Sequence, residues 1–276
     1  MSIDSSSPEA ASTPAVETVG LTRHFGPVTA VDQLNLSVAP RSIFGLLGPN
    51  GAGKTTTIKI LTTMLSPSAG TARVAGFDVV KNPVQTRKVI GYVSQMLSAD
   101  GALTGYENLL LFARIYGIPG GERKARILDA LEFMGLAEAA NVLVRSYSGG
   151  MIRRLEIAQS MLHRPLVLFL DEPTVGLDPL ARQAVWQHLR ELRERFATTI
   201  LMTTHDMEEA DHLCENIAIM HHGRVAAMGS PQSLKAQVGP EADLNGVFVH
   251  FAGGSLNDGE GYRESVRIRR TARRLG

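Results

Sequence analysis

Cysteine is almost missing from this chain: a single residue, Cys214, stands among 276. One thiol excludes an internal disulfide and any multi-cysteine metal site, and such usage suits a reducing cytosol. Cys214 falls on the apolar side of a short helical stretch with Met207, Ala210 and Leu213, so it reads as core filler. Long apolar runs are also lacking. No stretch approaches the roughly 18 consecutive apolar residues that span a bilayer, and the chain is not expected to cross a membrane by itself. Residues 1–15 carry Asp4 and Glu9 among Ser, Pro and Ala. With neither a basic start nor an apolar block, they read as a flexible leader and not as a signal peptide. Net charge is small, +1, and gives no electrostatic reason to expect nucleic acid as a partner. What is abundant is apolar content, 44%. That is enough for one large domain, or a domain with appendages, around a substantial core.

The most specific local feature is Gly48-Pro49-Asn50-Gly51-Ala52-Gly53-Lys54-Thr55-Thr56, a complete G-x-x-x-x-G-K-[ST] phosphate loop. It lies between the apolar run Ile43 to Leu47 and a helix-like segment. Such a motif works when a strand delivers a glycine-rich turn to the start of a helix, where unpaired amides and the helix dipole meet an anion. A nucleoside triphosphate is the expected ligand. Lys54 can reach the β- and γ-phosphates, and the Thr55 hydroxyl is placed for Mg²⁺.

Around this loop the pattern alternates. From Val16 to Val38, short β-rich pieces punctuated by Gly26-Pro27 and Asp32 suggest an antiparallel patch. A helix is expected from Lys54 to Leu65, with Ile58, Leu61 and Leu65 on one face. Strands are expected at Thr71 to Val74, Val89 to Val93, Leu166 to Leu170, Thr199 to Met202 and Asn216 to Met220, the later ones as continuous apolar runs typical of strands covered on both faces. The pattern indicates a mainly parallel α/β core. Between Gln95 and Arg164 helix signals replace strand signals, which suggests a helical insertion. Thr104-Gly105-Tyr106-Glu107 reads as a capping box opening one helix that runs out at Gly117. A second is expected after Gly120-Gly121, with Ile127, Leu128, Leu131 and Met134 on its apolar face and Gly135 as its stop.

Two further constellations carry chemistry. Leu166 to Leu170 ends in Asp171-Glu172, a buried strand placing two carboxylates at the carboxyl edge of a sheet. Asp171 is expected to hold Mg²⁺ through water, and Glu172 to polarise or deprotonate a water attacking the γ-phosphate. Upstream, Tyr147-Ser148-Gly149-Gly150-Met151 precedes an amphipathic stretch. Ser148 reads as its N-cap, and Gly149 and Gly150 leave the first amides bare, a second anion-binding helix terminus in one chain.

With these motifs on the page, residues Val16 to Gly229 resemble the ATP-binding cassette family, whose LSGGQ signature corresponds to Tyr147 to Met151. The resemblance implies a phosphate-loop NTPase core, mainly a parallel sheet with flanking helices, with an antiparallel β patch and an inserted helical subdomain. The expected organisation is an ATP-binding domain over 16–238, a helical subdomain over about 96–164, and a short extension with a basic tail over 239–276. It implies that Gln95 is the glutamine joining the metal site to the helical insertion, that Asp178 belongs to the family's D-loop, and that His205 is the switch histidine contacting the γ-phosphate. Asp178-Pro179 is also a sensible helix start. Phe25 sits where the family commonly has an adenine-stacking tyrosine; filling the antiparallel patch is the competing reading. ATP and Mg²⁺ are the implied ligands.

Two chains are expected to enclose ATP between the phosphate loop of one and Ser148 to Gly150 of the other. Met151 and Arg153-Arg154-Leu155-Glu156-Ile157-Ala158 resemble the daunorubicin-resistance branch of drug and antibiotic exporters. A second ATP-binding subunit, a separate integral-membrane permease and a peripheral place on the cytoplasmic face are therefore expected. Leu244-Asn245-Gly246-Val247-Phe248 resembles that branch's closing element but lacks its two acids. Arg267-Ile268-Arg269-Arg270-Thr271-Ala272-Arg273-Arg274 reads as a solvated basic tail or protein contact, with anionic lipid as the alternative. The rival function is a soluble ATP-driven clamp on ribosomes or DNA.

Overall fold

The computed structural model describes residues 13–253. The first twelve residues of the expected leader and the arginine-rich tail lie outside them. The chain opens with β1 (Val16–Phe25), β2 (Val28–Val38) and β3 (Ile43–Leu47), then α1 (Lys54–Leu61), β4 (Ala69–Val74), β5 (Phe77–Asp78), α2 (Pro83–Val89) and β6 (Ile90–Val93). A helical block follows: α3 (Gly105–Ile115), α4 (Gly120–Phe133), a 3₁₀ turn at Val144–Ser146, and α5 (Gly149–Met161). The chain continues through β7 (Val167–Asp171), α6 (Pro179–Phe196), β8 (Thr199–Thr204), α7 (Met207–Leu213), β9 (Asn216–His221), β10 (Arg224–Gly229), α8 (Pro231–Val238) and α9 (Leu244–Ala252).

These strands make two sheets. Order β10-β9-β3-β8-β7-β6 forms the larger, parallel except for the β9–β10 hairpin. β3 and β7 are buried at every position. Their alternation then decides which layer each side chain enters. Phe44, Leu46, Val167, Phe169, Leu201 and Met220 pack toward α1 and the second sheet. Ile43, Leu47, Leu168, Leu170, Ile200 and Ile219 face the opposite way, into a core shared with the helical block, α6, α7 and α9. Each fully buried Leu, Ile or Phe contributes about 1.5–3 kcal/mol, so the central strands are fixed by side chains on both faces.

The second sheet, order β2-β1-β4-β5, is antiparallel. Its placement corrects one expectation: Thr71 to Val74 belongs to this sheet, paired with β1, and not to the parallel core. Several boundaries also move. α1 stops at Leu61, short of Leu65, because Thr63 turns left-handed at φ 64°. Val89 closes α2, a helix started by Pro83 with no apolar repeat to announce it. α4 begins at Gly120 itself, after the Pro119 cap position. The Thr104 capping box is present: Glu107 N donates to Thr104 Oγ1 at 3.2 Å, and Thr104 N to Glu107 Oε2 at 2.8 Å. Cys214 is buried at the end of α7, beside Gly45 of β3. The element Leu244 to Phe248 opens α9 and buries Leu244, Val247 and Phe248 in the core. Among the described residues, no helix is long and apolar enough to cross a membrane.

Candidate nucleotide site

β3 runs straight into the phosphate loop, and steric crowding explains two of its glycines. A Cβ at Gly48 would sit 2.3 Å from the Met220 carbonyl oxygen, and one at Gly53 2.4 Å from that of Ala30. Both have positive φ, 157° and 103°, so neither the backbone nor the surroundings admit a side chain. The loop is thereby pressed between β9 and β2. Ala52 N donates to Pro49 O at 3.2 Å and Thr57 N to Gly53 O at 2.9 Å. The amides of Lys54, Thr55 and Thr56 come before the first intrahelical donor, and no side chain caps the helix. A terminus built this way fits an anion.

Lys54 is folded into that cradle. Its ammonium donates to Gly48 O at 2.7 Å and Pro49 O at 3.1 Å and lies 3.5 Å from Glu172 Oε1. Burial lowers its pKa, against the opposing pull of Glu172 and Asp171. The end of β7 supplies the acidic side. Asp171 Oδ1 accepts from Thr55 Oγ1 at 3.0 Å and from Thr203 Oγ1 at 2.6 Å. Glu172 then takes φ 48°, a left-handed conformation that costs a non-glycine residue about 1–3 kcal/mol. The turn takes its carboxylate out of the strand's alternation. Gln95 Nε2 donates to Glu172 Oε2 at 3.0 Å, and His205 Nδ1 lies 3.3 Å from Oε1. Burial presses the Glu172 carboxyl upward, but the His205 hydrogen bond and the Lys54 and His205 charges outweigh it and hold its pKa below the ordinary range. The same hydrogen bond raises His205 against its partial burial.

The fold thus assembles Gly48 to Thr56, Gln95, Asp171, Glu172 and His205 into one site. The other expected residues make their contacts elsewhere. Ser148 caps α5, accepting from Met151 N at 3.3 Å. A Cβ on Gly149 would meet Leu177 at 3.6 Å and one on Gly150 would meet Ala181 at 2.8 Å. The glycine pair therefore leans on the start of α6, which Asp178 caps by accepting from Ala181 N at 2.9 Å. Phe25 is 46% exposed at the end of β1, with the Arg23 guanidinium 4.7 Å over its ring. Its hairpin leads directly to Ala30, which backs the phosphate loop.

Sequence reasoning missed several supports. Thr203, fully buried, also accepts from Glu172 N at 3.0 Å and so holds the Asp171 carboxylate and the Glu172 backbone together. Glu209 accepts from Thr174 Oγ1 at 2.6 Å and Trp186 Nε1 at 3.0 Å, while Arg182 meets Asp206 at 2.6 Å. These bonds tie the segment after Glu172, and α6, to the helix that follows His205. Burial raises the Glu209 carboxyl above its ordinary range despite its donors. A signal existed: Glu209 sits one turn before Leu213, on the buried stripe of α7.

An anion-binding helix start, a strand-end Asp-Glu pair and a glutamine and histidine on the second carboxylate define a phosphate-loop ATPase. Residues 31–175 match the family described as ABC transporter. Over 227 residues the chain is 45% identical to the daunorubicin/doxorubicin resistance ATP-binding protein DrrA of Streptomyces peucetius, covering 82% of this chain and 68% of that protein. It is 44% identical over 227 residues to the Nod factor export ATP-binding protein I of Ralstonia nicotianae, covering 82% and 70%. A solved ATP-binding subunit of an ABC transporter superposes with TM-score 0.76 at 28% identity, over 86% of this chain and 99% of that one. The chain belongs to the ABC transporter family, as an ATP-binding subunit whose ATP hydrolysis is coupled to transport. That membership favours a transporter over a soluble clamp.

Proposed function

We propose that this chain drives an exporter of a drug, antibiotic or lipid-like molecule, working as a homodimer beneath a separate integral-membrane permease on the cytoplasmic face. The observation that carries this reading is its likeness to the DrrA and Nod factor export ATP-binding proteins, at 45% and 44% identity. In this reading residues 16–238 form the ATP-binding domain, about 96–164 its helical subdomain, and 239–276 a short extension.

Lys54 and the loop Gly48 to Thr56, with the free amides of Lys54, Thr55 and Thr56 at the start of α1, hold the triphosphate, and Phe25 stacks on adenine. Glu172, its pKa kept low by His205 and Lys54, accepts a proton from the attacking water, and Gln95 and His205 fix its orientation. A bound Mg²⁺ would neutralise charge on the phosphoryl oxygens, and Thr55, Asp171 and Gln95 are the residues that would hold it. Among the described residues no cluster of three or more His, Cys, Asp or Glu is poised for a metal; a site using one or two carboxylates plus phosphate oxygens needs none. Gly149 and Gly150 pack against Leu177 and Ala181 at the start of α6, which Asp178 caps, and in this reading Ser148, Gly149, Gly150 and Asp178 act together on ATP held by the second subunit. Charge-assisted contacts to Lys54, Ser148 and His205 disappear with the γ-phosphate, and that difference supplies the switch between paired and separated subunits.

Glu172→Gln is expected to bind ATP and form a stable dimer while hydrolysing it at least about a hundredfold more slowly. Lys54→Ala is expected to lose triphosphate binding. A hydrolysis-deficient protein that stays monomeric with ATP, both alone and with its permease, would overturn the dimer. Purifying the complex from membranes and identifying the permease and its cargo tests the exporter reading.

A further inference from the structure

We infer that Arg153 and Glu156 of α5 are positioning residues that hold Gln95 against Glu172, so that the helix capped by Ser148 governs assembly of the water-activating site. This rests on the catalytic reading of Gln95 and Glu172 above. The two side chains form an ion pair at 3.1 Å, with side-chain exposures of 3% and 2%. Two charges so far from water cost several kcal/mol each unless their remaining hydrogen-bonding capacity is used, and here it is spent on one segment. Arg153 Nη1 donates to Ser94 O at 2.7 Å and Nη2 to Gln95 O at 3.1 Å. Those carbonyls belong to the two peptide units that flank the Gln95 α-carbon. The planar guanidinium fork therefore fixes the backbone on both sides of the residue whose amide reaches Glu172 at 3.0 Å. Glu156 completes the clamp three residues on, accepting from the Ser98 amide and from Ser98 Oγ.

Apolar packing does not do this job. Between the clamped positions, Met96 and Leu97 are 81% and 52% exposed, so the segment gains little from burial and its course follows the ion pair. Farther along, Asn108 of α3 donates to Asp100 O and Thr104 O, both at 3.0 Å, and Gln159 of α5 donates to Asn108 Oδ1 at 3.3 Å. α5 thus holds the loop after Gln95 directly at Arg153 and Glu156 and indirectly through Asn108. Since Ser148 caps the same helix, a shift of α5 on engaging a triphosphate would be carried to Gln95 through one rigid element.

The test is a kinetic cycle on the intact chain. Arg153→Gln with Glu156→Ala removes both charges at once and strands neither. With Gln95 present, this pair variant is expected to lose about tenfold to a hundredfold in kcat, the scale of a misplaced catalytic group, with KM for ATP little changed. In a Gln95→Ala background the same pair should cost less than about twofold, because both changes act on one group. Equal losses in the two backgrounds would mean that the clamp serves the fold alone and would overturn the inference. So would an unchanged kcat with Gln95 present. A silent Gln95→Ala would overturn the catalytic reading and this inference together, whereas a costly Gln95→Ala beside a harmless pair variant overturns only the inference. If the pair variant does not fold, Arg153→Lys carries the test: it keeps the charge opposite Glu156 but cannot span two carbonyls, and the same background dependence is expected.

Discussion

Replacing Thr203 with valine removes one hydroxyl and almost no volume from the centre of the site. The residue is fully buried in β8, so the isostere refills its space and cavity formation contributes little. What is lost is the 2.6 Å bond to Asp171 and the 3.0 Å bond from Glu172 N. The second loss is cushioned, since Glu172 N also reaches Thr203 O at 3.2 Å, and Asp171 keeps its bond from Thr55 at 3.0 Å. One hydrogen bond to a carboxylate therefore dominates, and such bonds contribute about 1.5–3 kcal/mol. Thr203→Val should lower the unfolding free energy by about 2 kcal/mol, roughly 4–8 °C in Tm for a domain of this size. Urea unfolding at an unchanged m-value checks this. ATP turnover should fall as well, because Asp171 and Glu172 share the lost anchor. Thr203→Ser keeps the hydroxyl and should keep turnover while losing about one methyl group of burial, ~0.8 kcal/mol. If the valine variant loses less than about 0.5 kcal/mol, or the serine variant loses as much turnover, Thr203 does not anchor the Asp171 carboxylate and the Glu172 backbone.

A Cβ at Gly45 would lie 2.7 Å from Cys214 Sγ and 3.2 Å from Ile217 Cγ2; Gly45→Ala should cost about 1–3 kcal/mol by overpacking, and adding Cys214→Ala should recover part of it in denaturant titrations. An absence of recovery would place the clash elsewhere. The Glu172–His205 contact gives a pH signature. Glu172 is held below its ordinary 4.5, so its contribution is present above that value and lost as pH falls through the folded pKa. His205 is raised above 6.5, so its contribution is full below that value and lost as pH rises through the folded pKa. The stability gap between the nucleotide-free protein and His205→Gln should therefore be widest between about pH 4.5 and 6.5 and close toward alkaline pH. Solvent screening keeps that gap small, and a gap that is flat from about pH 5 to 9 would remove the pairing.

Local chemistry made much of this protein legible from residues alone. A strand, a glycine turn and a helix start are contiguous, so Gly48 to Thr56 announces an anion site without reference to anything distant. Caps are equally local: Thr104, Ser148 and Asp178 each bond an amide three residues ahead, and the helices begin where those residues predict. Apolar runs located β3, β7, β8 and β9, because a strand covered on both faces buries successive side chains. The sequence could not show which strands meet, since pairing depends on contacts between distant segments. Thr71 to Val74 reads as a strand in any sheet, and only packing against β1 assigns it to the antiparallel one. Arg153, Glu156, Thr203 and Glu209 look like ordinary polar residues in a linear chain. Tertiary structure buries them and aims their hydrogen bonds at Gln95, Ser98, Asp171, Glu172 and Thr174, because desolvated charges and hydroxyls must find partners and the nearest are backbone, hydroxyl and carboxylate groups of the segments at and after the ends of β6 and β7.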